Sequence, residues 1–309
     1  MPHIAIVTVA NDIHAYTVRK ELHDRHGATC DIVETDQLPA SAQLSWALDG
    51  HTAPTVPTLA GKPTDVRTWD AVWYRRPGGV SWRPPHRPAV PEDITDEAVI
   101  DVIIGDSRAT FLGLLLDSFQ GAWVSHPDCT RSAENKIVQL RAAQRAGLCV
   151  PRTRVSQDPA AIRAFCASLD QQVLVKTVAG SRRAPLTPGM VDAELLASDR
   201  ALALSPAIYQ EAVPGTCHLR VQAFGDELIA VMIRSDELDW RFALATSTVE
   251  PYTLSADLQR RLRQVLQILG LRMGVFDIKL TPRGEPVWLE VNPQGQFLFV
   301  EGMSDTSLA

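Results

Sequence analysis

The stretch FDIKLTPRGEPVWLEVNPQGQF, from Phe276 to Phe297, constrains this chain more than any other. Two apolar runs flank the turn sequence TPRGE, which predicts an antiparallel pair of strands over 273–281 and 286–292. Asp277 lies inside the first run, and Glu290 and Asn292 lie inside the second. Residues two apart on a strand point to one face, so Glu290 and Asn292 share a face, with Asp277 on the neighbouring strand. Burying such groups unpaired is costly, so a hydrogen-bond network, a basic partner or a metal ion must compensate them. Three oxygen-bearing groups converging from adjacent strands suit a hard divalent ion such as magnesium, which shares its remaining positions with waters and nucleotide phosphates. The alternative is a separate hydrogen bond from each group to backbone or arginine.

A chain of 309 residues is too long for one small core and fits two or three subdomains. The apolar fraction of 45% and charged fraction of 21% are those of a soluble globular protein. No apolar run reaches the length of a membrane span. The net charge of −6 argues against a protein that coats nucleic acid. MPHIAIVTVA has no basic leader before its apolar stretch and reads as a first strand rather than a signal peptide. Five cysteines, an odd number with no C-x-x-C pair, fit reduced thiols in the cytoplasm. The expected protein is therefore cytoplasmic, with neither membrane nor nucleic acid as partner, and a homodimer is the expected assembly.

Along the chain, HIAIVTV, a helix over 14–26 and CDIVET form a strand–helix–strand opening, which predicts a small open α/β domain. Leu44, Trp46 and Leu48 alternate with polar residues, which predicts a strand over 41–49 ending in a hairpin turn at Asp49–Gly50. AVWYRRP is a further strand, the proline-rich 81–93 a surface loop, and 94–119 one long helix. After a boundary near AWVSHPDC, a helix is expected over 132–146 and another after Asp158, with Pro159 at its first position. QQVLVKTVAG and AIYQEAVPG read as strands, and HLRVQAFGDELIAVMIRS as a hairpin turning at Gly225–Asp226. A helix over 256–269, stopped by Gly270, precedes the two closing strands.

The chain holds 25 arginines and only five lysines, Lys20, Lys62, Lys136, Lys176 and Lys279, so the placement of each lysine carries information. A lysine is a compact, rotating point charge suited to a phosphate oxygen in a tight site. Lys136 opens a helix, and Lys176 lies among the valines of VLVKTV, where it needs an anion. Lys20 and Lys62 read as scattered surface charges. There is no G-x-S-x-G, no H-E-x-x-H and no convincing Cys–His pair for nucleophilic catalysis.

The ordered set Lys136, Lys176, Gln210-Glu211-x-Val213, Arg220, Asp277, Glu290-x-Asn292 resembles the ATP-grasp superfamily. HPDCTRSAENKIVQLRAAQRAGLCVPRT, YQEAVPG, DWR and WLEVNPQGQFLFVE, with WYRRP at 73–77, are similar to the ligases that mature microviridin-type ribosomal peptides, or graspetides. The resemblance spans nearly the whole chain and is loose before Trp69. It implies an α+β ATP-grasp fold behind an N-terminal pre-ATP-grasp α/β domain, with domains over 1–125, 126–212 and 213–309. It implies an ADP-forming ligase that activates Asp or Glu side chains of a leader-bearing precursor peptide as acyl phosphates. A Ser or Thr hydroxyl, or a Lys amine, of the same peptide then attacks to give an ester or amide. By the same resemblance Lys136 and Lys176 hold phosphates of ATP, and Gln210, Glu211 and Val213 form the adenine hinge. Asp277, Glu290 and Asn292 hold Mg2+, and Arg220 and Arg241 steady the transferring phosphoryl group. A ligase of a free amino acid or small amine, and a nucleotide-binding scaffold without turnover, are the competing readings. Three departures stand out. The loop AGSRRAPLTPGM is poor in small residues, leaving Arg182 or Arg183 either to cover phosphates or to sit in solvent. His218 stands where the family often has an acid, and the tail after the last strand is short, so a final helix is not expected.

Overall fold

The structure, a computed structural model, describes residues 1–78, 88–179, 186–242 and 247–303. The chain forms two compact units, Met1–Pro127 and the chain from Asp128 onward. Arg182 and Arg183, like most of the proline-rich loop, lie outside the described residues. Among the described residues no helix is long and apolar enough to cross a membrane.

The first unit runs β1 (His3–Thr8), α1 (Ile13–His26), β2 (Thr29–Glu34), α2 (Leu38–Ser41), β3 (Thr55–Pro57), β4 (Pro63–Asp65), β5 (Ala71–Tyr74), α3 (Glu97–Ser118) and β6 (Ala122–Val124). Its main sheet has the order β2-β1-β5-β6 with every pair parallel. Parallel strands are covered on both faces, and the unbroken run Ala5, Ile6, Val7 is accordingly buried. Val33, Val72, Phe111, Leu114 and Leu115 complete this core. The WYRRP motif has a structural role here. Arg75 is fully buried, and its Nε donates to Asp12 Oδ2 at 2.7 Å, while Asp12 also accepts the Thr8 hydroxyl and caps α1 through the His14 N–H.

The strand expected over 41–49 is not formed. Only Ser45 bridges to Thr55, and Leu48 is 89% exposed. Local side-chain bonds override the alternation: Asp49 accepts from the backbone of His51 and Thr52, and the Trp46 indole donates to Asp117 on α3.

The second unit opens with α4 (Pro127–Ala133) and α5 (Lys136–Arg145), where one helix over 132–146 was expected. Asn135 separates them, because its side-chain oxygen accepts from the N–H groups of Ile137 and Val138 and so caps a new helix. Next come β7 (Thr153–Ser156), α6 (Pro159–Ala167), β8 (Val173–Thr177), β9 (Gly189–Met190), α7 (Ala193–Ala197), α8 (Asp199–Ala203) and β10 (Ala207–Glu211). They form an antiparallel sheet of order β7-β10-β8-β9. Ile162, Cys166, Val173, Leu202 and Tyr209 form its core.

The remainder is β11 (Cys217–Phe224), β12 (Glu227–Arg234), β13 (Thr248–Pro251), α9 (Ala256–Leu269), β14 (Met273–Leu280), β15 (Pro286–Asn292) and α10 (Leu298–Met303). A short helix therefore follows the last strand, where none was expected. The five strands form an antiparallel sheet of order β13-β12-β11-β14-β15. Leu258, Leu262, Val265, Leu266 and Leu269 of α9 are buried at helical spacing against one face of that sheet, where Leu219, Val221, Phe276, Ile278 and Trp288 meet them. Gly270 ends α9 at φ +68, and a Cβ there would lie 2.7 Å from Cys129 Sγ.

Candidate active site

The face of the five-stranded sheet turned away from α9 carries the polar residues. Alternation along β11 puts Leu219 and Val221 into the core, and leaves His218, Arg220 and Gln222 on the opposite face. Arg220 lies opposite Asp277 on β14, and Asp277 lies opposite Glu290 on β15. The register then shifts, so Trp288 pairs with Ile278 in the core while the extra residue, Leu289, lines the cavity. The arrangement expected from the closing strands is formed. Asn292 Nδ2 lies 3.5 Å from Asp277 Oδ2 and 3.3 Å from Glu290 Oε1.

An open cavity lies over this face. From the four-stranded sheet, Leu174, Lys176, Gln210 and Glu211 line it, because Val173 on the other face of β8 belongs to the core of that sheet. Val213, His218, Asp239, Trp240, Arg241, Asp277, Lys279, Leu289 and Glu290 line it too, with Pro188 and Leu238. Every residue expected at a site lines the cavity, except Lys136, Arg220 and Asn292, and these three hydrogen-bond to carboxylates that do.

Asp239, Asp277 and Glu290 each have a cationic partner. Lys136 Nζ donates to Glu290 Oε2 at 2.5 Å. The Arg220 Nη1 donates to both oxygens of Asp277, at 2.9 and 2.8 Å, and its Nη2 donates to the Gln296 carbonyl. Arg241 makes a two-point contact with Asp239, at 2.7 and 2.6 Å. Burial drives the Asp277 carboxyl up, helped by the adjacent Glu290 and opposed by Arg220. Burial also pushes Glu290 up, but Lys136, Arg241 and Lys176 outweigh it and hold that group down at about 2. Lys176 is shifted down by burial and pulled back by Glu290. The Asp239 contact raises Arg241.

Asp239 and Lys279 are functional candidates that the sequence reading passed over. Asp239 opens the DWR motif two residues before Arg241, and that spacing is its only signal. Lys279 is the cross-strand partner of His218, and the two are 8% and 4% exposed. Among the described residues, His218 Nε2 is buried with no hydrogen-bond partner. The imidazole is lowered to about 4, first by burial and then by the charge of Lys279.

The cavity thus has two ends. Gln210, Glu211, Val213 and the apolar Leu174, the cross-strand partner of Gln210, stand near the break after β10, where Gln210 is fixed by its bond to Thr153 Oγ1. At the other end Lys136, Lys176, Arg220 and Arg241 gather around Asp239, Asp277 and Glu290. The hard oxygens of Asp277, Glu290 and Asn292, on one face and in mutual reach, are a donor set that fits magnesium.

No family model matches the chain. No curated protein matches it in sequence. Solved structures do. The macrocyclase MdnC from Microcystis aeruginosa MRC, bound with the precursor peptide MdnA, superposes with a TM-score of 0.84 at 22% identity, over 97% of this chain and 94% of that one. A RiPP-associated ATP-grasp ligase of Chryseobacterium gregarium, in complex with ADP and a leader and core peptide, gives 0.85 at 22% identity, over 98% and 92%. The macrocyclase MdnB from Microcystis aeruginosa MRC gives 0.80 at 26% identity, over 99% and 96%. The chain therefore has the ATP-grasp fold, in the form taken by these peptide-modifying ligases.

Proposed function

We propose that this protein is an ADP-forming ligase that cross-links side chains within a ribosomal precursor peptide. The observation that carries this reading is the two-ended cavity, with an apolar, hydrogen-bonding hinge at one end and clustered cations around paired carboxylates at the other. Gln210, Glu211 and Val213 take the adenine, and Lys136 and Lys176 bind phosphate oxygens. Asp277, Glu290 and Asn292 would hold magnesium, which supplies charge neutralisation at the transferring phosphoryl group. Arg220 and Arg241 bind the oxygens on which charge develops, so that catalysis is placement of positive groups rather than attack by a protein nucleophile. A peptide carboxylate oxygen takes the terminal phosphoryl group and ADP leaves. A hydroxyl or amine of the same peptide then bonds to the acyl carbon, its proton is lost and phosphate departs.

The peptide partner carries a leader segment, because a short flexible core offers little binding energy to bring an acid and a nucleophile together. The working assembly is a homodimer. Mass spectrometry of a candidate precursor with ATP and magnesium tests the reaction: each cross-link removes one water, whereas joining a free amino acid adds a residue mass. Asp277→Asn and Glu290→Gln are expected to fold and to lose about a hundredfold or more in rate, comparable to losing an oxyanion-hole donor. Near-normal turnover of either variant at saturating magnesium would remove the metal assignment.

A further inference from the structure

Of the chain's five lysines, three stand at the cavity: Lys136, Lys176 and Lys279. Lys136 is held by Glu290, and Lys176 lies within reach of the same charge. Lys279 differs from both. It is buried, yet among the described residues it has neither a hydrogen bond nor an ion pair. The carboxylates nearby are already taken, Asp277 by Arg220 and Asp239 by Arg241. Its cross-strand partner is His218, an imidazole that burial keeps neutral. Buried polar groups are nearly always paired, and a buried charge left alone is costlier still. An unpaired ammonium beside an unpaired imidazole nitrogen, on one wall of the cavity, therefore marks a place where a ligand group completes the wall.

Strand register selects the part of a nucleotide that this place meets. On the cavity face of β11 and β14, the His218–Lys279 pair lies one step nearer the hinge than the Arg220–Asp277 pair. That step is two residues, about 7 Å at the ordinary rise of a strand. A nucleotide with its base at Gln210–Val213 and its terminal phosphates at Arg220 and Asp277 lays its sugar and first phosphate over Lys279. Of these two only the phosphate is an anion, and an anion is what a buried ammonium needs. His218 keeps that ammonium free. Facing side chains on adjacent strands stand about 5 Å apart at Cβ, so an acid at position 218, where the resembled ligases often have one, would pair with Lys279 and neutralise it. A neutral imidazole does not. We infer that Lys279 is a third nucleotide-binding lysine, which holds the phosphate joined to the sugar, and that His218 is a positioning residue that leaves its charge available. The inference deepens the nucleotide reading above and rests on it.

Calorimetric titration of the full chain with ADP, AMP and adenosine, all without magnesium, tests it. AMP carries only the phosphate in question, and adenosine carries none. Lys279→Met keeps the length of the side chain and removes its charge. It should weaken ADP and AMP by about ten- to a hundredfold, the worth of a charge-assisted contact, and leave adenosine unchanged. Its melting temperature should not fall, because an unpaired buried charge is lost. His218→Asp should weaken ADP and AMP as well, by drawing Lys279 to itself, whereas His218→Asn, of the same size and neutral, should retain their affinity. A wild type that binds no ADP removes the nucleotide reading together with the inference. ADP bound equally well by the wild type and Lys279→Met leaves that reading standing and overturns the inference. An equal loss for adenosine moves Lys279 to the sugar and overturns the phosphate contact. Equal affinities for His218→Asp and His218→Asn overturn the role given to the imidazole.

Discussion

His218 shows what a single buried group can and cannot contribute. Burial, and then Lys279 opposite it, hold the imidazole near 4 against the pull of Asp239, so it is neutral throughout the physiological range. It therefore offers the cavity a hydrogen bond and no charge. A nuclear magnetic resonance titration should place its midpoint near 4. Lys279→Met should raise that midpoint yet leave it below the ordinary histidine value, because burial remains; a wild-type midpoint above about 6 would contradict the assignment. The sequence singled out position 218 by a missing acid, but could not find Lys279. Their pairing depends on strand register, and one residue of slip would send either side chain to the core face. Lys136 is a similar case. Its scarcity pointed to the site, while its partner Glu290 stands 154 residues away and became visible only in three dimensions.

At the scale of elements, most of what was readable had a local cause. Asp158 with Pro159 starts α6, Ser255 caps α9, and Gly270 stops α9 in the left-handed region, all within one turn of the residues concerned. The hairpin at Gly225 and the closing pair of strands were legible for the same reason. The failures came where two local signals competed. Alternation over 41–49 lost to side-chain bonds, and the helical periodicity over 132–146 lost to the Asn135 cap. That cap matters for the site, because it makes Lys136 the first residue of α5 and aims it at Glu290. Asn135→Ala is expected to cost about 0.5–2 kcal/mol, seen as a lower melting temperature, and to weaken ADP binding measured by calorimetric titration. Asn135→Asp keeps a capping oxygen and should retain most of the stability. Equal melting temperatures for Asn135→Ala and the wild type would show that α4 and α5 are divided by something other than the cap.

On the scale of the whole molecule, each unit has its own core and its own buried electrostatic anchor. In the first unit burial opposes charge on Asp12, but hydrogen bonding with His14 and Thr8 and the adjacent Arg75 hold its carboxyl below the usual range. A carboxyl depressed by folding stabilises the fold above its unfolded pKa, and that contribution is lost as the pH falls through the folded value. Asp12→Asn keeps the cap and removes the charge, so at pH 7 it should cost about 3 kcal/mol, the scale of a broken buried ion pair. The gap to the wild type should narrow as the pH drops below about 4. All residues of the candidate nucleotide cavity belong to the second unit. ADP at a hundred times its dissociation constant should therefore add about 2.7 kcal/mol to that unit alone. Scanning calorimetry of the full chain is expected to resolve two transitions, one lowered by Asp12→Asn and indifferent to ADP, the other raised by ADP and indifferent to Asp12→Asn. A single transition moved by both would mean that the two cores melt as one cooperative body, despite being built from separate sheets.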